Sequence, residues 1–368
     1  MASVFADIQT PYINALTAKR VLSSAVKENI FQGIILKPEE AVTERYSEDT
    51  DAAEIQVLRV KPNTNDAREL GSDKNGGWFN SEDALESSTA AYGIQILQTI
   101  DRNVDIATNA QDMVSVDLLA SETKNLGGLI NRNINAMTIA AMLAKNFNYF
   151  AGVEKRNGNS AATSITKPES TNWLTKTSST KYTDLIIEAG AYLDNGNEAE
   201  GIDAYPDDMR AVIIRPSIKA DVLKNMTGLY GGTAVFDILK KGGLDTETRP
   251  QILTSGYVGE VAGMPVYVGS GVIWNLAEKY LGLSEGALKN VAGLVVSGMG
   301  TGRALAFNSK IKTIDAPTGQ GIRLQPKYRF GAECWDALSV VPIFSSTFTN
   351  PVTTTENALF MRGIGSRG

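Results

Sequence analysis

The amino-acid sequence of 368 residues predicts an α+β fold, and three patterns carry this prediction. Residues 114–147 place their apolar side chains in one stripe at helical spacing, which predicts a single long helix. Strand and helix patterns alternate over residues 181–290, a succession typical of α/β or α+β architecture. Residues 292–344 read almost entirely as strands, separated by glycine or proline turns.

Composition excludes most of the common catalytic chemistry. The sequence contains no histidine and one cysteine, Cys334. Without histidine there is no Ser-His-Asp or Cys-His relay and no imidazole metal ligand. One cysteine forms neither an internal disulfide nor a thiolate zinc site, so we interpret Cys334 as a buried small hydrophobic residue. Lysine or carboxylate chemistry stays open, but no pair of residues points to it, and we predict neither an enzymatic activity nor a cofactor.

Residues 1–53 are predicted to form an arm that lies on another surface. A short amphipathic helix over residues 13–29 ends before Pro38, and residues 44–54 read as an extended acidic linker. This segment is too short and too polar to bury a core of its own. It carries no secretory signal pattern, and the sequence has no run of about 18 apolar residues, so no membrane span is predicted.

Residues 54–100 predict a long β-hairpin. The strand pattern of residues 54–61 returns at residues 91–100, after about 30 polar residues, and an isolated two-stranded hairpin of this kind is only marginally stable in water. A neighbouring surface must therefore stabilise it. Trp78 and Phe79, in the polar connection, either fold back locally or dock on another subunit, because exposed aromatic pairs mark contact sites.

The predicted long helix spans roughly 50 Å at about 1.5 Å per residue. Ser115 offers a start, and Gly127-Gly128 is the position where we expect a kink or a break. Residues 155–179 follow as a polar, mobile loop.

The alternating region begins with a helix over residues 183–193, followed by a strand over 209–216 and a second helix. Residues 256–270 then form a pair of short strands. Residues 322–330 alternate apolar with polar side chains, which predicts a half-buried strand. The tail, residues 346–368, is predicted to be irregular.

Two motifs have competing interpretations. Residues 298–303, GMGTGR, follow an apolar strand, but Arg303 stands where the third glycine of a dinucleotide-binding fingerprint belongs and the following residues read as strand rather than helix. We interpret this motif as a glycine turn between strands. The acidic residues of segment 48–54 lack the pattern of a calcium loop, so a solvated linker is the better interpretation.

The order of these segments resembles the HK97-type major capsid proteins of tailed bacteriophages, over nearly the whole chain. Four segments carry the resemblance, namely VDIATNAQDMVSVDLLASETKNLGGLINRNI (104–134), YPDDMRAVIIRPSIKADVLKNM (205–226), GYVGEVAGMPVYVGS (256–270) and RLQPKYRFGAECWDALSVVPI (323–343). The resemblance implies the HK97-like capsid fold, in which an N-terminal arm, an extended β-hairpin loop, a peripheral domain with a long spine helix and an α/β axial domain follow one another.

The resemblance implies a division of the chain into five parts. They are an arm (1–53), an extended loop (54–100), a peripheral domain with the spine helix (101–180), an axial domain (181–300), and closing strands of the peripheral domain with the C-terminal tail (301–368). It also implies inter-subunit contacts, carried by Arg68, Lys74, Trp78, Phe79, Tyr230 and Phe236.

The implied function is a shell protein of the virion, assembled in the host bacterial cytoplasm. Its partners are further copies of itself in pentamers and hexamers, together with portal, scaffolding and decoration proteins, and it touches packaged double-stranded DNA without sequence specificity. Since about 50 residues precede the hairpin, scaffolding is expected to be a separate protein or absent. A net charge of −6 is consistent with an inner surface that tolerates DNA without binding it tightly.

Two alternatives remain at this stage. Within the same fold, the chain is an encapsulin-like compartment that packages a cargo enzyme. In a different class, it is a soluble α/β enzyme that binds a nucleotide at the Gly298–Gly302 turn.

Overall fold

The fold is taken from a computed structural model. It describes residues 44–47, 54–60, 89–95, 98–101, 104–106, 118–156, 161–197, 202–229, 257–307, 312–315, 322–325 and 327–362. Within these ranges the α-helices are α1 (Leu118–Phe150), α2 (Tyr182–Asp194), α3 (Lys219–Leu229) and α4 (Gly271–Leu281).

The strands before α1 are β1 (Glu44–Ser47), β2 (Glu54–Val60), β3 (Thr89–Gln95), β4 (Gln98–Asp101) and β5 (Val104–Ile106). Those between α1 and α4 are β6 (Val153–Glu154), β7 (Thr163–Ser164), β8 (Leu174–Thr175), β9 (Arg210–Ile214), β10 (Tyr257–Val261) and β11 (Met264–Val268). Those after α4 are β12 (Val291–Ser297), β13 (Thr301–Phe307), β14 (Lys312–Asp315), β15 (Ile322–Gln325), β16 (Lys327–Cys334) and β17 (Val340–Phe344).

A six-stranded mixed sheet, in the order β10-β11-β9-β12-β17-β8, forms the centre of the molecule. Every residue of β9, β12 and β17 is buried, because helices cover both faces of the sheet. Successive side chains along each strand point to opposite faces of the sheet. In β9, Ile213 packs with α1 and α4 on one face, whereas Val212 and Ile214 pack with α2 on the other. The result is a three-layer arrangement of helix, sheet and helix.

Helix α1 is continuous from Leu118 to Phe150, and it ends three residues beyond the predicted boundary. The predicted break at Gly127-Gly128 is wrong, because the helix runs through both glycines. From Ile134 onward almost every residue is buried against the sheet and α4. Tertiary packing of this half offsets the low helix propensity of the two glycines.

A second sheet lies outside this centre. Its order is β1-β13-β16-β4, with β1 parallel to β13 and the other neighbours antiparallel. Strands β14, β15 and β5 form a separate antiparallel sheet, and β2 pairs with β3. Strands β13, β15 and β16 confirm the prediction that the C-terminal part is rich in strands.

The described parts of the segment 155–179, residues 155–156 and 161–179, contain two short strands that its polarity did not predict. Strand β7 pairs with β6, and β8 joins the edge of the central sheet by pairing parallel with β17. Asn172 is buried and Leu174 is a core residue. The segment's order comes from partners distant in sequence, which its local composition does not reveal.

Helix α4 was not predicted, although its sequence carried the signal. Its buried residues Ile273, Trp274, Ala277, Tyr280 and Leu281 recur at helical spacing. Gly282 follows the helix with φ of 68°, a left-handed conformation that favours glycine at the end of a helix.

The division of the chain into five parts stays a prediction. Strands from residues 174–175, 210–214 and 340–344, which that division assigns to three different parts, share the central sheet.

Candidate functional site

The predicted hairpin is confirmed by the pairing of β2 with β3. The antiparallel register runs from Glu54 opposite Gln95 to Val60 opposite Thr89 without a shift. Within the described strands these two form a sheet of their own. A ribbon of two strands buries little backbone and little apolar surface, so it depends on contacts beyond its own pairing.

The base of the hairpin is fixed to the second sheet. Strand β4 begins three residues after β3 ends and pairs with β16, from Gln98 opposite Phe330 to Asp101 opposite Lys327. On the other side of the same sheet, β1 runs parallel to β13, with Glu44 opposite Arg303. The chain therefore enters and leaves the hairpin from a four-stranded sheet, which anchors the base of the hairpin.

The six contact residues predicted from the resemblance all lie outside the described residues. Their placement stays a prediction, and they are Arg68, Lys74, Trp78, Phe79, Tyr230 and Phe236.

A buried carboxylate joins the loop after α2 to the connection between β16 and β17. Asp336 is 2% exposed. It accepts hydrogen bonds from the Tyr205 hydroxyl at 2.5 Å, the Asn197 side-chain amide at 2.9 Å and the Leu338 backbone N–H at 3.0 Å. Burial raises the pKa of Tyr205, and the negative charge of Asp336 raises it further. The phenol therefore stays protonated and keeps donating to the carboxylate.

The GMGTGR motif forms a tight turn that leads directly into a strand. Residues Gly298–Gly300 form a 3-10 helix, and β13 starts at Thr301. The Gly300 carbonyl accepts from the backbone N–H of Trp335 at 3.0 Å, and a Cβ at Gly300 would lie 1.8 Å from the Ser339 hydroxyl oxygen. The prediction of a glycine turn between strands is confirmed. The dinucleotide alternative required a helix after the motif, and a strand stands there instead.

Polar side chains in the core attach α1 to the closing strand. Asn146 is fully buried and donates to the carbonyls of Ala337 at 3.1 Å and Val340 at 2.8 Å. Its own carbonyl oxygen accepts from the Trp173 indole N–H at 2.7 Å. Asn172 donates to the Val340 carbonyl as well, at 2.8 Å. The polar atoms of these buried amides are thus paired, which removes the cost of desolvating them.

Aromatic side chains surround this polar junction. The Phe344 and Phe348 rings stack with their centroids 4.4 Å apart, and Trp173 meets the Phe147 ring edge-on at 5.5 Å. Such pairs contribute about 0.5–1.5 kcal/mol each beyond their buried area. The cluster fixes the end of α1 against β17 and the start of the tail.

The described part of the tail, residues 346–362, is irregular, as predicted, and it packs into the core. Asn148 forms a reciprocal pair with Leu359, donating to its carbonyl at 2.6 Å and accepting from its N–H at 2.8 Å. Asn350 donates to the carbonyl of Phe147 at 2.9 Å. The side chains of Val352, Leu359 and Met361 are buried. One side-chain amide of α1 and one of the tail thus join the tail backbone to the helix in place of a strand pairing.

Cys334 is buried, as predicted. Burial raises the pKa of its thiol to about 12, so the thiol is inert at neutral pH. Among the described residues no three acidic, histidine or cysteine side chains come together as a metal site. None of the helices in the described ranges has the length and apolar character that a bilayer span requires.

The raised thiol pKa predicts a pH dependence of stability. An unfolded cysteine ionises near about pH 8.5, so its contribution to stability is complete below that value and falls as the pH rises toward the folded pKa. Urea unfolding at pH 7.5 and 9.5 should show the wild type losing about 1 kcal/mol more than Cys334→Ala. The raised pKa values of Tyr205 and Tyr280 affect the wild type and Cys334→Ala equally, because a tyrosine begins to ionise in the unfolded chain only near about pH 10. Equal losses in the two chains would contradict the burial of a protonated thiol.

Sequence reasoning missed the residues that carry the polar junctions. Asp336 stands between the apolar residues Trp335 and Ala337, and that pattern was a signal for a buried hydrogen-bonded group, whereas Asn146 follows Lys145 and Asn172 follows Thr171. Their partners were not readable from the sequence, because Asp336 and Tyr205 are 131 positions apart.

No protein-family model and no curated protein matches the sequence. Solved structures do match. The capsid protein of Ralstonia phage GP4 has a TM-score of 0.50 at 10% identity, with 89% of this chain and 93% of that chain covered. The head protein of Helicobacter pylori bacteriophage KHP40 also has a TM-score of 0.50 at 10% identity, covering 86% and 91%. The capsid protein of cyanophage P-SCSP1u is 15% identical, with 86% and 92% covered and a TM-score of 0.48.

These similarities establish a class of fold. The chain has the α+β fold of tailed-phage capsid proteins, as the HK97-like prediction stated. The likeness covers 86–89% of this chain and 91–93% of the two chains compared.

Proposed function

We propose that this chain is the major capsid protein of a tailed bacteriophage. Copies of it assemble into an icosahedral shell that encloses the double-stranded DNA genome. The observation that carries the proposal is the fold shared with two phage head proteins over 86–89% of this chain. Identity of 10% makes the fold, rather than any motif, the basis of the proposal.

The hairpin gives this fold a physical reason to assemble. Strands β2 and β3 pair with each other, and the chain on either side of this pair joins the second sheet through β1 and β4. A ribbon built in this way gains stability when a neighbouring subunit covers it. The arm of residues 1–53 is proposed to lie on a neighbour in the same manner.

The proposed partners follow from the proposed shell. Copies of the chain form pentamers and hexamers, and portal, scaffolding and decoration proteins join them during assembly. The location is the virion. We propose no enzymatic activity. The turn at Gly300 packs against the side chains of Ser339 and Asp336, which argues against the alternative in which this turn binds a nucleotide.

The proposal is tested by expressing the chain alone and measuring particle mass by light scattering, with negative-stain imaging. We expect hollow closed particles in the megadalton range. If only a species near 39.5 kDa appears, the experiment is repeated with the scaffolding protein co-expressed. Small species in both experiments would overturn the proposal.

The encapsulin-like alternative predicts the same hollow particles with different contents. Particles from infected cells should contain double-stranded DNA if the chain is a phage capsid protein. A packaged enzyme in place of nucleic acid would favour the compartment.

A further inference from the structure

The two helix layers that cover the central sheet differ in charge. On one face, α1, α4, the β6–β7 pair and the tail pack into one core cluster. On the other face, α2, α3 and β10 pack into a second cluster. We call the first group the basic layer and the second group, with the segment that joins α2 to β9, the acidic layer.

The basic layer has nine basic and five acidic residues among its described side chains. Arg215 belongs to it, because its guanidinium stacks on the Trp274 ring of α4, 4.6 Å from the centroid. Five of the basic residues lie from Arg132 to Lys167, and the other four are Arg215, Lys279, Lys289 and Arg362. The acidic residues are Glu154, Glu169, Glu278, Glu285 and Glu356. This layer therefore has four more positive than negative charges.

The acidic layer has the opposite excess, with nine acidic and five basic residues among its described side chains. Seven of the acidic residues lie from Asp184 to Asp221, and the other two are Glu260 and Asp336, the buried partner of Tyr205. The basic residues are Lys176, Lys181, Arg210, Lys219 and Lys224. In the sequence, residues 182–209 contain eight acidic residues and no lysine or arginine. This one stretch has more negative charge than the net −6 of the whole chain.

The negative charge of the acidic layer is only partly offset within the subunit. Asp194 is the last residue of α2, where the helix dipole makes a negative charge unfavourable. The buried Arg210 forms ion pairs with Asp194 at 2.7 Å and with Asp207 at 3.0 Å, and these two side chains remain 62% and 91% exposed. A positive surface that approaches this layer would therefore lower the repulsion among its carboxylates.

Each layer also exposes a large apolar side chain. Ile187, on α2, is 40% exposed, and Val272, in the first turn of α4, is 51% exposed. Protein interfaces combine apolar contacts with polar and charged surroundings. Both layers thus have the mixed composition of a contact surface.

We propose that the acidic layer of one copy packs on the basic layer of the next copy. This inference rests on the proposed function and names the surfaces through which copies form pentamers and hexamers. The opposite charges of the two layers make them complementary. Because the two surfaces of such a contact differ, each copy keeps one surface free for a further neighbour, and repetition of the contact closes a ring when the rotation between copies allows it.

Other arrangements would bring like charges together. A two-fold dimer through the acidic layer would place carboxylates opposite carboxylates, which is unfavourable. Packaged DNA repels the same layer, because its backbone carries a negative charge at every phosphate. The basic layer of a second copy is the partner that these charges favour.

The test measures self-association of the full-length chain by light scattering at several salt concentrations. The variant Glu188→Lys/Asp203→Lys reverses two exposed charges of the acidic layer. At low salt we expect it to need an about tenfold higher protein concentration than the wild type for half-association, because attractive pairs become repulsive. The difference should shrink at about 0.5 M salt, where the Debye length is about 4 Å.

Glu285→Lys/Glu356→Lys is the matched control, because it changes the net charge of the chain by the same amount at two exposed positions. These residues belong to the basic layer, which becomes more positive. We therefore expect this variant to associate as strongly as the wild type or more strongly. Equal weakening by the two double variants would assign the effect to net charge and overturn the inference.

A mixing experiment tests the pairing of unlike layers. Lys279→Glu/Lys289→Glu reverses two exposed charges of the basic layer and leaves the acidic layer unaltered. Its acidic layer can then pair with the unaltered basic layer of Glu188→Lys/Asp203→Lys. We expect each variant alone to associate weakly and the mixture to form pairs that contain one copy of each. A mixture no more associated than its components would contradict the contact between unlike layers.

Folding and the proposed function are scored separately. If a charge-reversal variant does not unfold cooperatively in urea, Glu188→Gln/Asp203→Asn is measured, and unchanged association of that variant overturns the inference. A wild type that forms no shells, with or without scaffolding protein, overturns the proposed function. Shells from the wild type and from every variant alike overturn only the layer contact. An acidic-layer variant that self-associates normally but no longer responds to scaffolding protein would assign that layer to a different protein and overturn the inference.

Discussion

A chain whose residues 61–88 are replaced by Asn-Gly is expected to fold as the wild type does and to form no closed shells. Val60 lies opposite Thr89 at the end of the β2–β3 pairing, so a two-residue turn closes the hairpin in its existing register. Asn-Gly is the sequence that such turns favour. The replacement removes Arg68, Lys74, Trp78 and Phe79 and leaves all described strands in place.

Thermal unfolding and particle mass report the two parts of this expectation. The unfolding midpoint should stay within a few degrees of the wild type, and megadalton particles should be absent. A narrower variant, Trp78→Ala/Phe79→Ala, should reduce the yield of shells. Tyr192→Ala is its control, because it removes an aromatic side chain that is 37% exposed and belongs to α2 rather than to the hairpin. Shells of normal size from the shortened chain would refute a role for the hairpin in assembly.

Gly300→Ala is expected to destabilise the subunit by at least about 3 kcal/mol, the upper part of the usual range for overpacking. A Cβ at this position would lie 1.8 Å from the Ser339 hydroxyl oxygen and 2.4 Å from its Cβ. That hydroxyl is fixed by its hydrogen bond to the Asp336 carbonyl, at 2.7 Å. To accommodate the new methyl group, the Gly298–Gly300 turn and the segment between β16 and β17 that contains Asp336 and Ser339 must both shift.

Gly271→Ala is the matched control, because nothing lies within 4 Å of a Cβ at Gly271 in the first turn of α4. Alanine favours helix over glycine by up to about 1 kcal/mol, so this variant should be neutral or more stable. Urea unfolding measures both variants. The double variant Gly300→Ala/Ser339→Gly should recover part of the loss, since it removes the atoms that clash. Equal stability of the two single alanine variants would contradict the close packing at Gly300.

Local patterns in the sequence were sufficient for the individual elements. The two strand segments around the polar connection predicted the β2–β3 hairpin, and the apolar stripe predicted α1, because periods of two and 3.6 residues are properties of short windows. Gly127-Gly128 was misjudged, since propensity at two positions counts for less than the packing of the half of α1 from Ile134 onward.

The polar junctions could not be predicted, for a different reason. Asn146 and Trp173 are separated by 27 positions, and Asp336 and Asn197 by 139. A single sequence contains no information on such pairs until the fold brings them together. The cation–π contact between Lys155 and the Phe360 ring is similar, because these residues meet only after the tail has packed against α1.

The predicted inter-subunit contacts came neither from local patterns nor from the structure. Arg68, Lys74, Trp78, Phe79, Tyr230 and Phe236 were proposed from the resemblance to a capsid family. Composition and periodicity favoured a dependent hairpin, but they did not identify its partner.

Electron cryomicroscopy of the assembled particles would show both the shell and the position of the hairpin in it. We predict a closed icosahedral shell in which each subunit keeps the central six-stranded sheet and extends its β2–β3 hairpin over an adjacent subunit. A shell in which each hairpin packs only on its own subunit would retain the capsid proposal and remove the assembly role given to the hairpin. A small discrete oligomer, obtained both with and without scaffolding protein, would contradict the capsid proposal itself.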